Sequence, residues 1–316
     1  MTDVITSDSI ASVSLKDADK DPQGFAQELG SSFVEYGFAI VRDHGIPEDL
    51  IHRAEEKAKQ FFALAEDVKN KYYIEGAGGA RGYTPFGIET AKGFKAHDLK
   101  EFWHVGRELP EGHKFRAVMA DNVWPAEVQD FRTTFTALYA AFDEAGVKVL
   151  RAIARFLKVD EDYFTDTVRD GNSVMRLLHY PAQSEPAGEH IRAAAHEDIN
   201  TITLLLGAEE AGLELKTKDG RWIPVSPKPG ELVINIGDML QRLTNGVLRS
   251  TSHRVVNPAP DRASHARYSM PFFLHFRPDF VIEALPGTVP AGEQPKWPPI
   301  SSHEYLQERL REIKLK

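Results

Sequence analysis

The amino-acid sequence predicts a mainly β protein with helical support, its core a sandwich or a double-sheet jelly roll. Two patterns carry that expectation. Beyond about Ser173 the chain breaks into short β-prone runs with turn signals between them. Upstream, long segments place their apolar residues at helical spacing. Short strands at this spacing build packed antiparallel sheets, not alternating βαβ units. With 316 residues the chain can bury an ample core, and it carries no internal repeat or low-complexity linker. The expected organisation is one domain over 1–316. Within it lie a mixed α/β support region over 1–120, a helical layer over 121–170, the β core over 171–280, and a C-terminal tail and helix over 281–316.

Taken in order, Pro22 to Tyr36 puts Phe25, Leu29, Phe33 and Tyr36 on one helix face, and Gly37 ends it. Phe38-Ala39-Ile40-Val41 reads as a short buried strand. Pro47 opens a second helix at a first-turn position, where a missing N–H does no harm. Leu50, Ile51, Ala54, Ala58 and Phe61 carry that helix to about Leu64. From Glu75 to Gly93 glycines crowd the chain and predict a mobile loop. Arg81 stands where the third glycine of a dinucleotide fingerprint belongs, so that reading fails. Val128 to Leu157 is a long helix with Phe131, Phe135, Leu138, Phe142, Val147 and Leu150 as its stripe. The β runs are Val174–Tyr180, Thr201–Leu206, Leu213–Lys216, Trp222–Val225, Leu232–Ile236, His253–Val256 and Tyr268–Phe276. Gly212, Asp219-Gly220, Pro229-Gly230 and Pro258 to Pro260 supply turns between them.

Composition narrows the function. A net charge of −9 argues against a nucleic-acid surface, and an anionic ligand would need local arginines. The chain has no cysteine, which removes disulfides, thiolate metal sites and a cysteine nucleophile together, and fits a reducing cytoplasm. The first eight residues have neither a basic region nor an apolar core, so no signal peptide is expected. No apolar run approaches the ~20 residues that a membrane span needs. The expectation is a soluble, cytoplasmic protein.

The chemistry concentrates in Ala195-His196-Glu197-Asp198, answered by Ser252-His253-Arg254 and Arg267-Tyr268-Ser269. Two imidazoles and one short carboxylate can hold one face of Fe(II) and leave the other open for oxygen and substrate. The His196-x-Asp198 spacing suits a strand, where i and i+2 share a side, so Asp198 is the expected carboxylate and Glu197 faces away. With twelve histidines in the chain, one His-x-Asp alone would mean little. His52, His97, His113 and His303 read as surface residues. His196-Glu197-Asp198-Ile199-Asn200 is not the zincin helix, although two histidines and a carboxylate also suit zinc. On the residues alone, histidines that merely cap strands remain the competing reading.

The order His196-x-Asp198, His253, Arg267-x-Ser269 resembles the isopenicillin N synthase-like branch of the 2-oxoglutarate/Fe(II)-dependent oxygenases. Four further segments agree with it: Tyr36 to Pro47, Arg176-Leu177-Leu178-His179-Tyr180-Pro181, Asn235 to Gly246, and Ser250 to Val255. The matches run from about residue 30 to residue 276. One departure stands out. Plant members carry Asn-Tyr-Tyr-Pro where this chain has Leu178-His179-Tyr180-Pro181, so Tyr180 is kept and the asparagine contact is lost.

The resemblance implies a double-stranded β-helix core flanked by helices, with Fe(II) on His196, Asp198 and His253. It further implies that Arg267, Ser269 and Tyr180 anchor 2-oxoglutarate. With O2, a small molecule would be hydroxylated or desaturated while succinate and CO2 are released. An alternative stays open, since in isopenicillin N synthase itself the arginine–serine pair holds a substrate carboxylate and no 2-oxoglutarate is used. Arg267 suits a carboxylate because its planar guanidinium offers two parallel donors. Period-two alternation places Arg176 in the cavity with Tyr180 and His179 outside it. Arg192 shares a parity with His196 if the strand extends that far back. Two more inward arginines would favour an acidic substrate, and segments around Arg81 and Tyr83, and around Phe102-Trp103, would shape its pocket.

Overall fold

The computed structural model describes residues 10, 12–76, 79–88, 100–182, 192–206, 212–257 and 265–312. Strand β1 (Ser12–Ser14) and the one-turn helix α1 (Asp17–Lys20) lead into helix α2 (Pro22–Tyr36). Gly37 closes α2 at φ +69° with its N–H on Phe33 O, a left-handed cap that glycine adopts without Cβ strain. Strand β2 (Phe38–Arg42), helix α3 (Glu48–Phe62) and the short helix α4 (Glu66–Lys69) follow. Two segments that the sequence did not place on strands are β3 (Gly82–Thr84), within the expected loop, and β4 (Glu101–Gly106). Each hydrogen-bonds to its neighbour, with Tyr83 opposite Trp103. Helices α5 (Phe131–Phe156) and α6 (Tyr163–Val168) complete the helical layer.

The β core runs through β5 (Val174–Tyr180), β6 (Ala193–His196), β7 (Ile202–Leu206), β8 (Leu213–Lys216), β9 (Trp222–Pro224) and β10 (Leu232–Ile236). Helix α7 (Asp238–Leu243), then β11 (His253–Val255), β12 (Arg267–Ser269) and β13 (Pro271–Leu274) follow. The chain closes with β14 (Val281–Ile282), β15 (Ile300–Ser301) and helix α8 (Ser302–Glu312). The expected strand from Tyr268 to Phe276 is divided at Met270, where Pro271 lacks the N–H to continue the ladder.

Apart from β14 and β15, which pair with each other, the strands form the two facing sheets of a jelly roll. The major sheet has the order β1-β2-β10-β7-β13-β5-β4-β3, with β12 also on β5, and the minor sheet is β6-β11-β8-β9. Four strands from before residue 120 therefore belong to the same sheet as those after residue 171, because hydrogen-bond partners and not sequence neighbours define a sheet. Phe38, Ile40 and Val233 from the major sheet pack on Leu215, Ile223 and Val225 of the minor-sheet side. No helix among the described residues is long and apolar enough to cross a membrane.

Alternation gives the major sheet two faces. Trp103, Val105, Met175, Leu177 and Phe272 lie in the large core with α2, α3 and α5. Phe142 stacks on Phe272 at 5.4 Å, and Phe61 meets Trp103 edge-on at 4.7 Å. Each such fully buried aromatic contributes roughly 1.5–3 kcal/mol. The inner face carries the alternate residues. Phe102 lies opposite Leu178, His104 opposite Arg176, and Gly106 opposite Val174. Across the next ladder Arg267 lies opposite Tyr180 and Ser269 opposite Leu178. Phe102, Leu178 and Tyr180 form a separate buried cluster there.

Candidate metal centre

His196 ends β6 and His253 begins β11, and the two are cross-strand partners with ring centroids 4.4 Å apart. Each imidazole is oriented by its own backbone. His196 Nδ1 lies 2.7 Å from Ala194 O, and His253 Nδ1 lies 3.0 Å from Thr251 O. A carbonyl accepts only, so Nδ1 carries the proton in both and each Nε2 keeps its lone pair. Both Nε2 atoms lie 3.8 Å from Asp198 Oδ1. Burial and then the adjacent His253 push the His196 pKa down, which keeps that ring neutral for a metal.

Asp198 does not sit on the strand that its spacing suggested. β6 stops at His196, and Asp198 lies in the turn before β7. Helix α7 clasps that turn: Asp238 N donates to Asp198 O at 2.7 Å, and Gly237 N to Thr201 O at 3.0 Å. A Cβ on Gly237 would fall 2.1 Å from Asn200 O, so any other residue there would push the turn away. Asp198 Oδ2 receives Thr203 Oγ1 at 2.5 Å and Asn235 Nδ2 at 2.8 Å, leaving Oδ1 for a metal. Thr203 and Asn235 are themselves cross-strand partners. Burial would raise the Asp198 pKa, but His253, His196 and these two donors outweigh it and hold the carboxylate ionised.

One ligand atom from each of His196, Asp198 and His253 lies within 4.8 Å of the others, while exposed Glu197 contributes nothing to the group. Two imidazoles oriented through Nδ1 and a carboxylate with its second oxygen already satisfied are a donor set that fits Fe(II).

The remaining expected residues separate into distinct places. Arg267, Ser269 and Tyr180 gather at one end of the inner face, all buried, with Arg267 Cζ 5.2 Å from the Tyr180 ring centroid. Arg192 lies at this same end, its Cζ 5.9 Å from that ring and its Nη2 on His265 O. It precedes β6, so strand parity did not govern it. Arg176 faces inward. Its Nε donates to His104 Nε2 at 2.6 Å, and its Cζ lies 4.2 Å from the Phe102 ring centroid. His179 points the other way, stacked on Tyr268 at 4.8 Å.

Tyr83, expected in the substrate pocket, also turns to the helix side. Its hydroxyl donates to Glu101, which also accepts from Lys69 and His179 at 2.7 Å each. The register with Trp103 dictates this: neighbours across a ladder share a face. Arg81, just before β3, is buried. Of the histidines expected at the surface, His52 is exposed, His113 and His303 are half-buried, and His97 lies outside the described residues. The glycine-rich segment falls partly outside them as well.

Glu101 is 1% exposed. Burial would raise its pKa, but hydrogen bonds from His179, Lys69 and Tyr83 win and hold it below the usual carboxylate range. Glu101→Ala leaves Lys69 buried and uncompensated, and should destabilise the fold by about 3–5 kcal/mol in denaturant titrations. A lowered folded-state pKa stabilises at neutral pH and loses that contribution as pH falls through it. The difference between wild type and variant should therefore shrink in acid.

Thr203, Asn235 and His104 were not singled out from sequence. Thr203 and Asn235 lie on predicted strands at positions of shared parity, but only the turn that returns Asp198 to them reveals their use.

Comparison with known proteins agrees with this geometry. Residues 171–276 match the model of the 2OG-Fe(II) oxygenase superfamily, and residues 9–127 match that of the non-haem dioxygenase in morphine synthesis N-terminal region. The 2-oxoglutarate-Fe(II) type oxidoreductase hxnY of Emericella nidulans is 35% identical over 89% of this chain and 82% of its own. A crystal structure of a protein assigned to the 2OG-Fe(II) oxygenase family from Caulobacter crescentus is 56% identical. It has a TM-score of 0.90 and covers 96% of this chain and 99% of that one. A full-length Neurospora crassa protein, solved in complex with alpha-KG, is 30% identical with a TM-score of 0.86, covering 96% of this chain and 95% of that one.

Proposed function

This chain belongs to the 2OG-Fe(II) oxygenase superfamily, and from that premise we propose that it hydroxylates or desaturates a small acidic molecule in the cytoplasm. It is an Fe(II)- and 2-oxoglutarate-dependent dioxygenase, releasing succinate and CO2 as it oxidises its substrate. The observation that carries the reading is the convergence of His196, Asp198 and His253, each with its second polar atom already engaged. Iron bound there supplies the oxygen chemistry, and the protein supplies position and charge.

Those tasks divide among named groups. The carbonyls of Ala194 and Thr251 fix the imidazole tautomers, and Thr203 and Asn235 keep Asp198 from rotating. In this reading Arg267 takes the distal carboxylate of 2-oxoglutarate on two parallel donors, with the Ser269 and Tyr180 hydroxyls adding hydrogen bonds. Arg192, on the same tyrosine, adds positive charge. Phe102 and Leu178, buried with Tyr180, set apolar surface beside these groups. The inward guanidiniums support an acidic substrate, and the absence of cysteine suits a reducing compartment.

The test is a screen of small carboxylic acids with Fe(II), O2 and 2-oxoglutarate. One succinate is expected for each oxidised product. Product formed with no loss of 2-oxoglutarate would instead support the isopenicillin N synthase-type oxidase, which relatives named for 2-oxoglutarate do not favour.

A further inference from the structure

Arg81 is 3% exposed, and only one of its nitrogens is satisfied by a bond that the fold provides. Its Nη1 donates to Ala80 O at 2.6 Å, whereas Nε and Nη2 are buried with no hydrogen-bond partner among the described residues. Burial lowers its pKa, with Tyr139 and then Asp121 opposing, and Asp121 is already engaged by Arg116 at 2.5 Å. Gly106 accounts for where the guanidinium lies. A Cβ there would fall 1.9 Å from Cζ, 2.0 Å from Nη2 and 2.2 Å from Nε. The three nearest atoms are Cζ, Nη2 and Nε, so the guanidinium packs against the glycine and its Nε–Nη2 edge is buried there without a partner among the described residues. Gly106 belongs to the inner face, opposite Val174.

A second orphan stands close by. His275 follows β13, is 7% exposed, and has a buried Nδ1 with no partner among the described residues. Burial pushes its pKa down to about 4, with Asp198 opposing and Arg81 assisting, so the ring is neutral at physiological pH. Its backbone N–H is held by Ser173 Oγ at 3.1 Å, which fixes its place beside Val174.

We propose that Arg81, with His275 beside it, is the carboxylate subsite of the substrate cavity. With Nη1 engaged by Ala80 O, the Nε–H and Nη2–H edge keeps two parallel donors, matched to the two oxygens of a carboxylate. A buried guanidinium with that edge unmet is costly, and a bound anion removes the cost. Arg176, by contrast, already donates its Nε to His104. The inference rests on the oxygenase reading and adds a distance to it. Gly106, Val174, Phe273 and Thr203 follow one another across adjacent strands. Three strand spacings separate Arg81's platform from the threonine that holds Asp198, about 14 Å along the curved sheet. The substrate's acid group is thus held away from the metal, and the carbon oxidised lies several bonds from it.

The experiment uses the full chain as wild type, Arg81→Met and Arg81→Lys, loaded with Mn(II) and 2-oxoglutarate. Acetate and benzoate are titrated against acetamide and benzamide, with melting temperature as the readout. Both carboxylates should stabilise wild type and the amides should not. In Arg81→Met their apparent Kd should weaken at least tenfold, and Arg81→Lys should recover part of it. Without added anion, Arg81→Met should melt higher than wild type, since an unpaired buried charge is gone. Equal carboxylate shifts in wild type and Arg81→Met, no shift in wild type, or a lower melting point for Arg81→Met would each overturn the subsite. Failure of wild type to bind 2-oxoglutarate would count against the oxygenase reading instead.

Discussion

His253→Ala should yield a folded protein that no longer retains iron and no longer turns over. The substitution removes one of three atoms grouped within 4.8 Å and leaves a two-point site. Loss of mere outer partners of a metal ligand costs 10–100-fold in affinity, so loss of a ligand should exceed ~100-fold. The fold should survive, because His253 contributes to packing chiefly through an edge contact with Phe38 at 5.5 Å. Iron content after gel filtration and succinate release are the measurements. Retention of iron at the wild-type level would remove His253 from the ligand set.

Arg267→Gln should weaken 2-oxoglutarate binding by at least ~30-fold while iron affinity stays the same. Breaking a buried, hydrogen-bonded charge pair costs roughly 2–5 kcal/mol, and ~1.4 kcal/mol corresponds to a decade in Kd. Arg267 is 3% exposed, so water cannot replace what the guanidinium gives. Arg192 on the same tyrosine stays in place and should keep the loss toward the lower bound. Unchanged affinity would move Arg267 to the substrate, as in the oxidase alternative.

Much of the frame is readable in the sequence, for physical reasons specific to each element. Helix α2, and strands β5, β8 and β10, keep their expected limits because glycine, proline and polar turns bound them on both sides. β4 escapes a sequence reading because all six of its residues are buried, so it shows no alternation. β3 is hidden by Gly82 and by the glycines of the segment around it. Without those two strands the face of Tyr83 cannot be assigned, and His104 has no context. The three candidate ligands that the fold brings together are legible from residue type and spacing, yet the strand argument for Asp198 is wrong. It reaches His196 through a turn clasped by α7 and not through strand alternation. The inward set of Arg176 and outward set of His179 follow from parity alone, since β5 is regular throughout.

The two faces of β4 and β5 also bear on how such a protein can change over generations. Trp103, Val105 and Leu177 are locked in the large core, where a change of volume costs stability. Phe102, His104 and Arg176 alternate with them along the same strands but lie on the inner face, against one another and against Leu178, Tyr180 and Phe273. A substitution at one of these alters which molecule is accepted and leaves the helical core as it was. Drift toward a new substrate is thereby confined to every second codon of these strands, where a gene can vary without first losing its fold.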